Sequence, residues 1–182
     1  NRMRITNNEP AAQTIGIKSN SMKMAVNAKM YDIVMAKMYK NKPGAVIREL
    51  ASNAWDAHVE AGNTDIPFDM HLPTWLDKSF AIRDYGTGIP HDKFEAIYTT
   101  IGESTKEDSD ELIGGFGLGS KTPFTMTDTF TVENYNEGDL SIWLCFKSEG
   151  IPQVSMLSRS PSDEPSGLKV SFAFTSDNVA GF

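Results

Sequence analysis

The last third of the chain dictates its fold class. Four β-rich segments, TDTFTVENYN (127–136), DLSIWLCFK (139–147), PQVSMLSR (152–159) and GLKVSFAF (167–174), follow one another. The turns NEGD and SEGIP and a Ser/Pro-rich stretch at 158–166 separate them, which predicts an antiparallel meander. Such a sheet must bury one face, and the first half of the chain supplies the cover. Apolar residues recur at helical spacing in AKMYDIVMAKMYKN (28–41), PGAVIRELASNAWDAHVEAGN (43–63) and HDKFEAIYTT (91–100). Pro43 suits a first helical turn and Gly62-Asn63 a stop. FDMHLP (68–73) and KSFAIRDYG (78–86) read as two further strands able to pair, and TIGIKS (14–19) as a short one. Helices first and strands later make an α+β two-layer sandwich.

A length of 182 residues suits one domain, and its 23% charged fraction is that of an ordinary soluble protein. The net charge of −7 is a poor match to a nucleic-acid backbone, so no direct nucleic-acid binding is expected. Cys145 is the lone cysteine, which excludes an internal disulfide framework and fits a reducing cytoplasm. No apolar run reaches the roughly 20 residues of a spanning helix, so no transmembrane segment is expected. Residues 1–14 read as a polar arm, 15–176 as the domain, and 177–182 as the start of a following segment. Because Asn1 stands where a methionine would begin a chain, the sequence reads as part of something longer.

Three stretches carry polar groups in chemically suggestive patterns. Glu49, Asn53 and Asp56 fall at i, i+4 and i+7 of one predicted helix and share a face, while Val46, Leu50, Ala54 and Ala57 occupy another. A carboxylate there can orient a water, and an amide oxygen one turn away can coordinate Mg²⁺. An exposed polar face is the bland alternative. In IRDYGTGIP (82–90), Asp84 ends a predicted strand and precedes Gly86 and Gly88. An acceptor-only carboxylate can take a hydrogen bond from an exocyclic amine such as adenine's, and the glycines would admit a flat base. The same pattern also marks an ordinary strand-to-turn junction. In ELIGGFGLGSKTPF (111–124), Ser120 separates Gly119 from Lys121, so the stretch misses a phosphate-binding P-loop by one residue. A glycine-rich turn entering a short helix at Gly119 still offers unpaired N–H groups to an anion. A flexible hinge is the competing reading.

Taken together, RELASNAWDAH, RDYGTGIP and IGGFGLGSK resemble, in order and spacing, the three nucleotide-binding boxes of the GHKL ATPases. The resemblance covers residues 43–125. It implies the Bergerat fold, a mostly antiparallel mixed sheet with helices on one face, and ATP and Mg²⁺ as ligands. Position by position it implies Glu49 as general base, Asn53 as Mg²⁺ ligand and Asp56 as a water-mediated contact to the base. Asp84 is then the adenine acceptor with Gly86 and Gly88 beside it, and Ile89 an apolar cover on the ring. Gly115, Phe116, Gly117, Leu118, Gly119, Ser120 and Lys121 form the phosphate-wrapping turn, and about 101–119 an ATP lid. One departure stands out: where many members carry Gly-Thr on a late strand, this chain has Gly167-Leu168, without a hydroxyl. Ser171, three residues on, faces the other side of a strand.

Within the family the wording GGFGLGSKTPF followed by TDTF is most similar to the rIIA-type lysis-inhibition proteins of T-even-type phages. That resemblance implies a slow ATPase whose lid closure and ATP-dependent homodimerisation act as a switch in lysis inhibition or phage–host control. A host or phage protein would be its partner and the host cytoplasm its location, with membrane association open through segments beyond Phe182. Without a following domain to contribute a lysine, weak activity is expected of this segment alone. Two alternatives stay open: a nucleotide-regulated protein-binding module without significant hydrolysis, and the ATPase domain of a gyrase B/MutL-like DNA-transaction protein.

Overall fold

The computed structural model describes residues 41–99 and 119–174. The arm, the predicted elements at 14–19 and 28–40, most of the lid and the final segment lie outside the described residues.

Helix α1 spans Lys42–Ala61. Asn41 caps it by accepting the Gly44 N–H on its side-chain oxygen at 3.1 Å, and Pro43 occupies the first turn, where its missing N–H costs nothing. At the other end Gly62 turns left-handed, and the Gly62 and Asn63 N–H groups bond back to Val59 and His58 carbonyls. Its buried stripe is Ala45, Val46, Leu50, Ala54 and His58. Strands β1 (Asp69–His71) and β2 (Ser79–Arg83) pair antiparallel, as the sequence predicts, and α2 covers His91–Thr99. A 3-10 helix at Gly119–Thr125 leads into β3 (Thr129–Asn136), β4 (Asp139–Ser148), β5 (Ile151–Pro161) and β6 (Gly167–Ala173).

Among the described residues six strands form one sheet in the order β1-β2-β6-β3-β4-β5, and every neighbouring pair is antiparallel. This corrects the expected four-strand meander. Strands β3 to β5 follow as hairpins, but β6 crosses back and inserts between β2 and β3. There it satisfies both open edges, pairing Ile82 with Val170 on one side and Val132 with Val170 on the other. A second correction concerns the Ser/Pro-rich stretch, whose first residues continue β5 and leave the turn to 162–166. Among the described residues β5 is an edge strand, where Pro161 forfeits no ladder donor, and Arg159 grips Asp139 Oδ2 across the hairpin at 2.6 Å.

One face of the sheet packs against the helices. Phe80 and Ile82, Phe130 and Val132, Trp143 and Cys145, and Val170 and Phe172 alternate inward along their strands. Phe94 of α2 stacks between Trp143 at 4.3 Å and Tyr98 at 4.5 Å. Along β3 the inward series changes character: Phe130 and Val132 give way to Asn134 and Asn136, both buried. The core therefore ends in a polar floor beneath residues 85–91. Among the described residues, no helix is long and apolar enough to cross a membrane.

Candidate functional site

Asp84 follows β2 directly and is 7% exposed. Its N–H continues the sheet by donating to the Leu168 carbonyl at 2.9 Å. The carboxylate then substitutes for the next carbonyl of the ladder: Oδ1 accepts from the Leu168 N–H at 3.1 Å and from the Gly86 N–H at 3.0 Å. Burial raises the Asp84 carboxyl above the ordinary value, and the two N–H donors, the Arg83 guanidinium and His58 oppose that rise. Both N–H donors converge on Oδ1, and Oδ2 accepts from neither of them.

Among the described residues the turn after Asp84 has no strand partner of its own, and side chains satisfy its backbone. The Tyr85 N–H donates to His58 Nε2 at 2.8 Å, and Asn63 Nδ2 donates to the Tyr85 carbonyl at 2.7 Å. Asn136 Nδ2 donates to the Thr87 carbonyl at 3.0 Å. Asn134 takes both groups of Ile89, accepting its N–H at 2.9 Å and donating to its carbonyl at 2.8 Å. Behind it, Ser141 Oγ meets His91 Nδ1 at 2.9 Å and accepts the Trp143 indole N–H at 2.8 Å. The turn is rigidly held from the helix side and from the sheet side.

The glycines of this turn lie close to protein. A Cβ at Gly86 would come within 2.7 Å of the Ala57 Cβ on α1. At Gly88, with φ +70°, it would lie 2.3 Å from the Tyr135 carbonyl. The protein contacts of these two glycines are to α1 and β3.

The second half of the site lies where α1 meets the 3-10 helix. A Cβ at Gly119 would stand 3.2 Å from Glu49 Oε2 and 3.6 Å from Asn53 Nδ2. Glu49, with a side chain 14% exposed, has its other oxygen held by Arg48 Nη2 at 2.8 Å. Asn53 is exposed and Asp56 half-buried on the same helix. Ser120 Oγ accepts from Lys121 Nζ at 3.2 Å. Lys121 itself points into the interior, 1% exposed, with Nζ donating to the Ile97 carbonyl of α2 at 3.2 Å. Burial brings its ammonium down to about 8. Gly115, Phe116, Gly117 and Leu118 lie outside the described residues.

The fold thus brings Glu49, Asn53 and Gly119 together, and Asp84, Gly86 and Ile89 together, with α1 bordering both groups. Sequence reasoning missed His58, Asn63, Asn134 and the Leu168 N–H. Two signals were available. Period 2 in TFTVENYN places Asn134 and Asn136 on the face of Phe130 and Val132, and His58 continues the stripe of Leu50 and Ala54.

An antiparallel sheet with its helices on one side, a helix that sets Glu49 and Asn53 against Gly119 and a buried aspartate at a strand end belong to the GHKL class of ATPase domains. Residues 41–163 match the family model described as "Histidine kinase-, DNA gyrase B-, and HSP90-like ATPase", and the chain belongs to that family. It is similar to the chaperone protein HtpG of Mycolicibacterium vanbaalenii, with 26% identity over 167 residues, covering 78% of this chain and 25% of the relative. It is 29% identical over 139 residues to the HtpG of Rhodococcus jostii, covering 63% of this chain and 22% of the relative. It is 32% identical over 123 residues to that of Mycobacterium ulcerans, covering 54% and 19%. The chain therefore spans about a quarter or less of these relatives.

Proposed function

We propose that this domain binds ATP with Mg²⁺ and hydrolyses it slowly, using nucleotide occupancy as a conformational switch. The observation that carries the reading is the approach of Gly119 to Glu49 and Asn53. It sets the end of the glycine-rich run beside a carboxylate and an amide oxygen, where a terminal phosphate would meet a base and a cation. The residues fit a hard cation of the Mg²⁺ type: Asn53 offers a neutral oxygen, and such an ion keeps several waters and takes phosphate oxygens for the rest. Bound there, the ion would neutralise phosphate charge.

At the other end, Asp84 Oδ2 accepts the adenine amine and Ile89 covers the ring. Glu49 Oε2 orients the attacking water and takes its proton, while Arg48 holds Oε1. Gly115 to Gly119 supply backbone donors to the phosphates, and Asp56 reaches the base edge through water. ATP-dependent pairing of two copies is the output that the family resemblance of the three motifs favours. The wording GGFGLGSKTPF–TDTF supports a phage lysis-inhibition regulator as its biological setting.

Titration calorimetry with Mg²⁺ and a non-hydrolysable ATP analogue, followed by phosphate-release assays, tests the reading. Saturable binding that is weakened in Asp84→Asn, together with slow release that is strongly reduced in Glu49→Ala, is the expected result. No binding to the wild type would sink it, and binding without release would leave a nucleotide-regulated module.

A further inference from the structure

We infer that His58 is a positioning residue for the nucleotide base: it fixes the Asp84 turn against the helix that carries Glu49 and Asn53. The inference rests on the nucleotide reading above and adds to it a residue to which the three motifs assign no role.

His58 is fully buried, and both ring nitrogens are engaged. Nδ1 lies 2.9 Å from the Ile66 carbonyl, which only accepts, so Nδ1 carries the proton and donates. Nε2 is then the lone-pair nitrogen, and it accepts the Tyr85 N–H at 2.8 Å. The Ile66 contact therefore sets the tautomer that the Tyr85 contact needs. Phe68 and Tyr85 stand edge-on to the ring, each with its centroid 6.2 Å away.

What this histidine holds is more informative than how it is held. Tyr85 is the residue after Asp84, and the next residue, Gly86, donates to Asp84 Oδ1. Moving the Tyr85 amide moves the carboxylate. On α1, His58 adjoins Ala57, the residue against which Gly86 packs, so helix and turn meet at two consecutive positions on each side. His58 lies nine positions after Glu49, about 13.5 Å along the helix, the scale of an extended nucleoside triphosphate. One rigid helix thus carries the water-activating carboxylate near its middle and the anchor of the purine turn near its C-terminal end. A histidine that merely filled the core would leave base recognition untouched when replaced.

The test compares affinities for the non-hydrolysable β,γ-imido analogues of ATP and GTP, with Mg²⁺, in wild type, His58→Asn and His58→Gln. Asparagine places its amide at the level of Nδ1, so it keeps a donor for Ile66 and loses the acceptor for Tyr85. Glutamine reaches the level of Nε2 and restores that acceptor. The expected result is an ATP-over-GTP preference reduced about tenfold or more in His58→Asn, the value of one hydrogen bond, and largely retained in His58→Gln. Melting temperatures of both variants report separately on packing. Equal preference in the two variants and the wild type, whatever their melting temperatures, would overturn the inference while leaving the nucleotide reading intact. Wild-type protein that binds neither analogue would remove both. Hydrogen exchange of the wild type needs no variant: the Tyr85 amide is expected to gain protection when the ATP analogue binds, and an unchanged rate would count against His58.

Discussion

The Leu168 N–H donates to Asp84 Oδ1 at 3.1 Å, while the Asp84 N–H donates to the Leu168 carbonyl at 2.9 Å. The two residues thus complete a ladder pair in which a carboxylate oxygen stands in for a main-chain carbonyl. Gly167 makes the arrangement possible. It sits at φ +135°, and a Cβ there would fall 2.2 Å from the Asp84 carbonyl oxygen.

This geometry decides what Asp84→Asn does. The amide must keep its oxygen on the Gly86 and Leu168 N–H donors, because its NH₂ group would clash with them. The NH₂ then occupies the place of Oδ2 and faces the adenine amine, donor against donor. Affinity for the ATP analogue should fall about 10- to 100-fold with little change in melting temperature. Calorimetry beside a thermal melt checks both halves, and unaltered affinity would show that Oδ2 is not the acceptor.

Acidification should imitate that substitution. Burial raises the Asp84 carboxyl, so it protonates at a higher pH than an ordinary aspartate. Nucleotide affinity is expected to fall as pH drops through that raised value. The stability effect has the opposite sign: a raised carboxyl favours the folded state at low pH, and that contribution disappears as pH rises through the folded value. Binding isotherms and urea midpoints across the mildly acidic range should therefore diverge for wild type and run parallel for Asp84→Asn.

Gly119→Ala tests the phosphate side. The new methyl would stand 3.2 Å from Glu49 Oε2, close enough to displace the carboxylate by a few tenths of an ångström. Hydrolysis should fall about tenfold or more while analogue binding changes much less, because only the orientation of the water suffers. Glu49→Ala, which removes the base altogether, should lower turnover about 100-fold or more. Single-turnover measurements separate the steps; a Gly119→Ala enzyme as fast as wild type would place the reacting centre elsewhere.

Lys121 makes a stability prediction in alkali. Its ammonium titrates near 8 in the fold against 10.5 when free, so the unfolded chain holds more protons between those values. Stability should rise with pH across that window, by about 3 kcal/mol for this group. Cys145 runs the other way, since burial raises its thiol to about 12. The clean comparison is therefore Lys121→Met against Lys121 in a Cys145→Ala background, by urea denaturation from pH 7 to 10. A constant difference between the two would refute the buried, depressed ammonium.

The elements of the sandwich were legible because their causes are local. Periodicity marked α1 and α2, Pro43 and Gly62-Asn63 marked the bounds of α1, and alternation marked the strands. The place of β6 was not legible, because GLKVSFAF carries the same alternation whichever neighbours it pairs with. Which edges stand open depends on where every other strand already lies. The site divided the same way. Glu49, Asn53 and Asp56 share a helix face by spacing alone, and Asp84 announced itself at a strand end.

The sequence by itself determined which residues face the same way: helical and strand periods are properties of a few consecutive residues. Tertiary structure alone decided which of those faces meet. It brought Gly119 to Glu49 across 70 positions of chain, and it set the backbone N–H of Leu168 on the Asp84 carboxylate. It turned Lys121, the most conspicuous cation of the glycine-rich run, inward to the Ile97 carbonyl, and it set His58 and Asn134 on the turn that carries Asp84 and Ile89. The physical reason is common to all of these. A buried polar group must find a partner wherever the packed chain puts one, and that partner is rarely near in sequence.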